Sequence, residues 1–244
     1  MVLFASLLSK VIVPSTERSR ISPWLIRLAY PLGCHLILPL YLGRLTVIGR
    51  EHIPAKDPVI VAPLHRARWD ALIVPYAVGH WVSGRNLRFM VMSAEMKGLQ
   101  GWLIRHLGGF AVDTRHPRAS SLEHSVELLK KGETLVMFPE GGIFRDDIVH
   151  PLKRGVARIA LEVKAQQPTS DLKILPISIR YSQPYPSWKT DVTVIIGEAL
   201  SLETYSTEHI KTSSEKLTQD LQHILVNLCQ KSSTIDFQEK SEIA

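Results

Sequence analysis

A histidine and an aspartate, His65 and Asp70, stand five positions apart in the stretch APLHRARWDAL, residues 62–72. An aspartate beside an imidazole holds one ring nitrogen protonated and orients the ring. The other nitrogen is then free to take a proton from a hydroxyl. This is the base-and-orienter half of the serine-protease arrangement. No Gly-x-Ser-x-Gly occurs in the chain, which points to a substrate hydroxyl as the nucleophile. The same two residues also suit an unrelated pair, a surface histidine and an aspartate capping a helix. Spacing alone leaves both readings open.

On an ideal helix, five residues advance about 140° beyond a full turn, so the pair can meet only if the chain bends between them. The neighbouring text supplies the bend. VIVAP (59–63) reads as a strand and DALIVPYAV starts a helix at Asp70; such strand-end corners place functional groups. Further strands are expected at 87–93, 108–113, 134–139, 173–181 and 191–197. Several are continuously apolar, as strands covered on both faces are. Helices are expected at 119–131 and 155–165, and a long amphipathic one carries Leu217, Leu221, Ile224, Leu225 and Leu228. This alternation predicts an α/β fold, a mostly parallel or mixed sheet flanked by helices. The expected organisation is an N-terminal helical appendage over 1–50, an α/β domain over 51–231 and a polar, flexible tail over 232–244.

Three further strand ends feed chemistry into loops. GGFAVDTR delivers Arg115, FPEGGIFR delivers Glu140, Gly141, Gly142 and Arg145, and PLKRG supplies Lys153 and Gly155. Arginine suits bidentate phosphate binding, and glycines let backbone N–H groups approach an anion. Each cation alone fits a solvated surface charge equally well; their shared placement favours an anion site.

The net charge is +6 over 244 residues, and its location matters more than its size. Within residues 1–50, Lys10, Arg18, Arg20, Arg27, Arg44 and Arg50 face Glu17 alone. The excess coincides with apolar text, PWLIRLAYPLGCHLILPLYLG (23–43), which Arg27, Pro31, His35 and Pro39 interrupt. A transmembrane span needs about 20 uninterrupted apolar residues. Short helices lying in a membrane interface fit better, with Trp24, Tyr30 and Tyr41 at headgroup depth; a buried helical hairpin is the alternative. A basic excess in apolar text argues against nucleic acid as partner. Residues 1–13 lack the early positive charge and cleavage site of a secretory signal. With Cys34 and Cys229 the only cysteines, a reducing compartment is expected.

In this order, these blocks resemble the glycerolphosphate/lysophosphatidic acid acyltransferase family over roughly residues 50–180. His65 and Asp70 match its His-x4-Asp motif, Gly109 to Arg115 its Gly-x-x-Phe-x-x-Arg segment, and Phe138, Pro139, Glu140 and Gly141 its Phe-Pro-Glu-Gly. Pro176 within LPI matches the fourth motif, and Lys153 with Gly155 the Lys-x-Gly segment. Leu64 stands where the family usually has Asn, and Ile143 where its acceptor loop has Arg, so a differently shaped loop is expected. The resemblance implies that His65, oriented by Asp70, activates the hydroxyl of a lysophospholipid, above all lysophosphatidic acid. That oxygen attacks the thioester of acyl-CoA or acyl carrier protein, with no metal or other cofactor. It implies an acceptor phosphate site at Arg115, Glu140 and Gly141, joined by Arg145 and Lys153. Because a carboxylate repels phosphate, Glu140 is expected to organise backbone or basic groups. It also implies a phospholipid membrane surface as partner, at the cytoplasmic face. The alternatives are an acyltransferase or transacylase for another lysophospholipid, a lipid or thioester hydrolase, and a non-catalytic membrane-surface protein.

Overall fold

The computed structural model describes residues 18–113 and 119–243. Helix α1 (Pro23–Tyr30), a π-helical segment (Pro31–Ile37) and α2 (Leu38–Tyr41) lead into β1 (Leu45–Ile48) and β2 (Val59–Pro63). Then come α3 (Asp70–Val78), α4 (His80–Ser83), β3 (Leu87–Met92), α5 (Gly98–His106) and β4 (Gly109–Val112). The second half holds α6 (Ala119–Lys130), β5 (Thr134–Val136), α7 (Gly155–Gln166), β6 (Lys173–Tyr181), β7 (Val192–Ile196), β8 (Leu200–Ser201) and α8 (Ile210–Ile243).

One sheet runs in the order β1-β7-β6-β2-β5-β3-β4, with β8 beside β6. Among the described strands only the pairings of β6 with β7 and with β8 are antiparallel, so the sheet is mostly parallel, as expected. β2 lies at its centre with all five residues buried. Ile60 and Ala62 pack with Leu129 of α6, Ala160 of α7 and Leu221 of α8. Val59 and Val61 face the other layer, with Leu38 of α2 and Ile73 and Val74 of α3. Each such aliphatic side chain contributes roughly 1.5–3 kcal/mol on full burial. The central strand is thereby fixed, and so is the corner that leaves it.

The N-terminal segment is more integrated than a separate appendage. β1 adds to the sheet edge through β7, and Leu38 and Leu42 are buried in its core. The interruptions work as the sequence suggests. Pro31 opens the π-helical segment and Pro39 sits in the first turn of α2, and a proline supplies no N–H for a regular helical bond. The expected headgroup placement of Tyr30 does not hold. Tyr30 packs inward with Ile26 and Cys34, one helical face, and burial pushes its hydroxyl pKa up to about 12. Tyr41 is half-buried and stacks on Trp69 at 4.4 Å; of the three aromatics Trp24 alone is exposed, at 61%. The expected flexible tail is also helical, because α8 continues to Ile243. Ser232 extends the inward stripe of Leu221, Leu225 and Leu228, and its hydroxyl lies 3.2 Å from that of Ser178 on β6.

Candidate active site

Pro63 ends β2, and the Leu64 N–H adds one last sheet bond, to Ile177 O at 2.9 Å. The chain then turns, and α3 begins at Asp70. Within this corner His65 Nδ1 lies 2.8 Å from Asp70 Oδ2. The backbone N–H groups of Arg66 and Ala67 donate to the same oxygen at 2.6 and 2.9 Å. The carboxylate therefore faces back into the turn rather than capping the helix. Asp70 is fully buried, whereas the His65 side chain is 20% exposed. With Nδ1 donating to Asp70, Nε2 presents its lone pair, and no described residue is bonded to it. Phe138 stacks on the imidazole at 4.0 Å and fixes its plane.

The segment from Phe138 to His150 folds over this corner, and Glu140 joins the two. The Glu140 carboxylate is buried. Its Oε2 accepts from the His65 backbone N–H at 3.2 Å and Arg66 Nη1 at 2.8 Å, and its Oε1 from the His150 backbone N–H at 3.0 Å. Both oxygens are thus spent on backbone and basic groups. Arg66, also buried, donates further to Ile148 O at 3.0 Å and Phe144 O at 3.4 Å.

Gly141 adopts φ +73°, a left-handed conformation that glycine enters without strain. A Cβ there would lie 2.6 Å from Lys153 Cε and 2.7 Å from its Nζ, so the lysine stem lies directly across Gly141. The Lys153 N–H bonds Pro139 O at 2.8 Å, tying the two loops together. Arg145 is placed elsewhere. Its guanidinium stands 4.9 Å over the Tyr185 ring. It lines a cavity of about 170 Å³ with Asp146, Asp147, Arg180, Tyr181 and Gln183, to which neither Gly141 nor Lys153 contributes. Arg115 lies outside the described residues.

Two residues that hold this corner together escape the sequence reading. Tyr181, at the end of β6, donates its hydroxyl to Asp70 Oδ1 at 2.6 Å. Burial, and then the Asp70 charge, push its phenol well above the ordinary range, so it remains a donor. Arg66, inside the His-x4-Asp stretch, is the buried partner of Glu140. Proximity to a motif histidine was the available signal for Arg66. Tyr181 offered none beyond its place at a strand end.

A profile of the acyltransferase family matches residues 44–180. The chain is 30% identical over 134 residues to a 1-acyl-sn-glycerol-3-phosphate acyltransferase of Streptococcus pneumoniae, covering 52% of this chain and 44% of that protein. A Bacillus subtilis protein of the same name is 27% identical over 198 residues, covering 75% of this chain and 88% of its own length. Among solved structures, the 1-acyl-sn-glycerophosphate (LPA) acyltransferase PlsC from Thermotoga maritima superposes with a TM-score of 0.66 at 22% identity, covering 85% of this chain and 79% of that one. The profile takes in more than half of the chain, from the start of the sheet to Arg180 in β6, with the His65–Asp70 corner and its covering loop inside it. The chain therefore belongs to the acyltransferase family and is an acyltransferase enzyme.

Proposed function

We propose that the enzyme moves a fatty acyl group from the thioester of acyl-CoA or acyl carrier protein to the free hydroxyl of lysophosphatidic acid, giving phosphatidic acid. The observation that carries the reading is the 2.8 Å contact of His65 Nδ1 with a buried Asp70, which leaves Nε2 uncommitted. Nε2 takes the acceptor hydroxyl proton as the oxygen attacks the thioester carbonyl. The buried carboxylate stabilises the imidazolium that forms. The C–S bond then breaks, the ester remains, and the imidazolium returns its proton to the departing thiolate. No cofactor takes part in this scheme.

The choice of acceptor draws on the names of the Streptococcus and Bacillus relatives. It also draws on the Lys153 ammonium held across the open backbone of Gly141, which suits an acceptor phosphate. Arg115 completes that site in this scheme, and Glu140 shapes it from beneath. A larger headgroup is the second reading, favoured by Arg145 lining a separate cavity rather than standing with Lys153.

The partner surface we propose is a phospholipid leaflet, on its cytoplasmic face. No helix among the described residues is long and apolar enough to cross a membrane. Exposed Trp24, Leu28, Leu32, Leu36 and Leu40 instead run along α1, the π-helical segment and α2, next to Trp81 of α4. Leu99, Trp102 and Leu103 project from α5, whose end pairs with the chain just before α1. These helices contain no Asp or Glu and carry Arg27 and Arg105, a composition that fits an anionic interface.

An acceptor panel run with both donors tests the reading. Lysophosphatidic acid should be turned over in strong preference to lysophosphatidylcholine and lysophosphatidylglycerol; the reverse order removes the phosphate acceptor. His65→Ala should lower turnover at least ~100-fold and leave the fold intact, and normal turnover would remove the base. Fatty acid released at full rate without acceptor would make the enzyme a hydrolase.

A further inference from the structure

Burial by itself disfavours a charged carboxylate, and Asp70 has no exposed surface. Its oxygens are served unequally. Oδ2 accepts from His65 Nδ1 and from two backbone N–H groups, while Oδ1 has a single partner, the Tyr181 hydroxyl at 2.6 Å. We propose that Tyr181 is a positioning residue for acyl transfer: its hydroxyl holds Oδ1 of Asp70 and so keeps Oδ2 turned to His65, and its loss moves the pH below which the base fails. The inference rests on the reading of His65 as that base.

The surrounding charges do not replace this bond. Arg66, from the corner, is taken by Glu140, and Arg180, on β6, pairs with Asp147 at 3.0 Å. From the covering loop, Asp146 faces His150 at 2.9 Å and Arg145 stands over Tyr185. None of them donates to Oδ1. The phenol itself stays protonated, because burial and the adjacent anion both oppose its ionisation. Without the hydroxyl, Oδ1 loses its one side-chain donor, a condition relieved by taking up a proton. A neutral Asp70 then gives the imidazolium no counter-charge when the acceptor proton moves to Nε2.

The test is Tyr181→Phe in the full chain, assayed with acyl-CoA and lysophosphatidic acid across the pH range. The acidic limb of the kcat profile should move up by about one to two pH units, the size expected for one bond to a buried charge. At neutral pH kcat should fall about tenfold or more, with KM for both substrates little changed. A lower melting temperature with an unmoved limb overturns the inference, since a packing role alone would do that. A fluorotyrosine placed at position 181 keeps the shape and strengthens the donor, so the limb should move to lower pH. If Tyr181→Phe does not fold, that arm decides, and an unmoved limb there overturns the inference. An inactive His65→Ala beside an unmoved limb in Tyr181→Phe overturns this inference alone; a fully active His65→Ala overturns the base and the inference together.

Discussion

Two histidines show what the surroundings of an imidazole decide. His65 is part-exposed and gives Nδ1 to a buried carboxylate. His124, on α6, is 5% exposed, its ring edge-on to Phe110 at 4.9 Å. Its Nε2 accepts the Ser19 N–H at 3.2 Å, and its Nδ1 has no partner among the described residues. Burial, opposed in part by Glu127 and helped in smaller measure by Arg18, Arg88 and Lys131, holds its pKa down at about 4. Removal from water alone makes an imidazole refuse a proton. At His65 partial exposure with a carboxylate bonded to Nδ1 leaves the Nε2 lone pair facing outward. The sequence offers ten histidines, and this contrast separates one placed as the proposed base from one suited to packing.

The strongest way to break the contrast is to remove the support beneath His65. Glu140→Ala leaves the Arg66 guanidinium buried without its partner, which should cost about 3–5 kcal/mol in denaturant unfolding. A loss below about 1 kcal/mol would mean the corner stands without that pair. Asp70→Asn keeps the shape and removes the charge. Turnover should fall at least ~100-fold with little change in melting temperature, and wild-type rates would reduce the pair to packing.

His124 gives the pH arm. Its folded pKa of about 4 lies below the ordinary 6.5, so the unfolded chain binds the proton more readily, and stability drops as pH falls from 6.5 toward 4. Between pH 7 and pH 5 that amounts to about 2 kcal/mol. Stability curves for His124→Gln should be flatter by that amount, and an unchanged slope would assign the loss to other groups. The smallest effect lies outside both sites. Trp24→Ala with Leu28→Ala should weaken vesicle binding about tenfold and leave turnover of a soluble short-chain acceptor unchanged. Equal sedimentation with liposomes would detach α1 from the membrane. Deleting residues 1–45 is a poorer test, because Leu38 and Leu42 belong to the core.

Much of the fold is legible because its signals are local. VIVAP and KILPISIRY read as strands from their own text and are β2 and β6. β1 and β8 are not legible: LTVI is half-exposed and β8 has two residues, so neither carries a period. In the site, the five-residue spacing of His65 and Asp70 and the Phe138–Gly141 string mark the chemistry. Tyr181 is 111 positions from Asp70 and meets it only because β6 pairs with β2. Glu140 reaches Arg66 across 74 positions. Contacts of that kind follow from strand order, which no window of sequence contains.

Arg66 acts as a rivet through the covering segment. Its guanidinium holds the Glu140 carboxylate and two main-chain oxygens, at Phe144 and Ile148, from below. Lifting that flap would strip a full charge of all three at once, so the flap behaves as a wall. For the proposed reaction, any variant that speeds exchange of acceptor and product should therefore map away from residues 140–150.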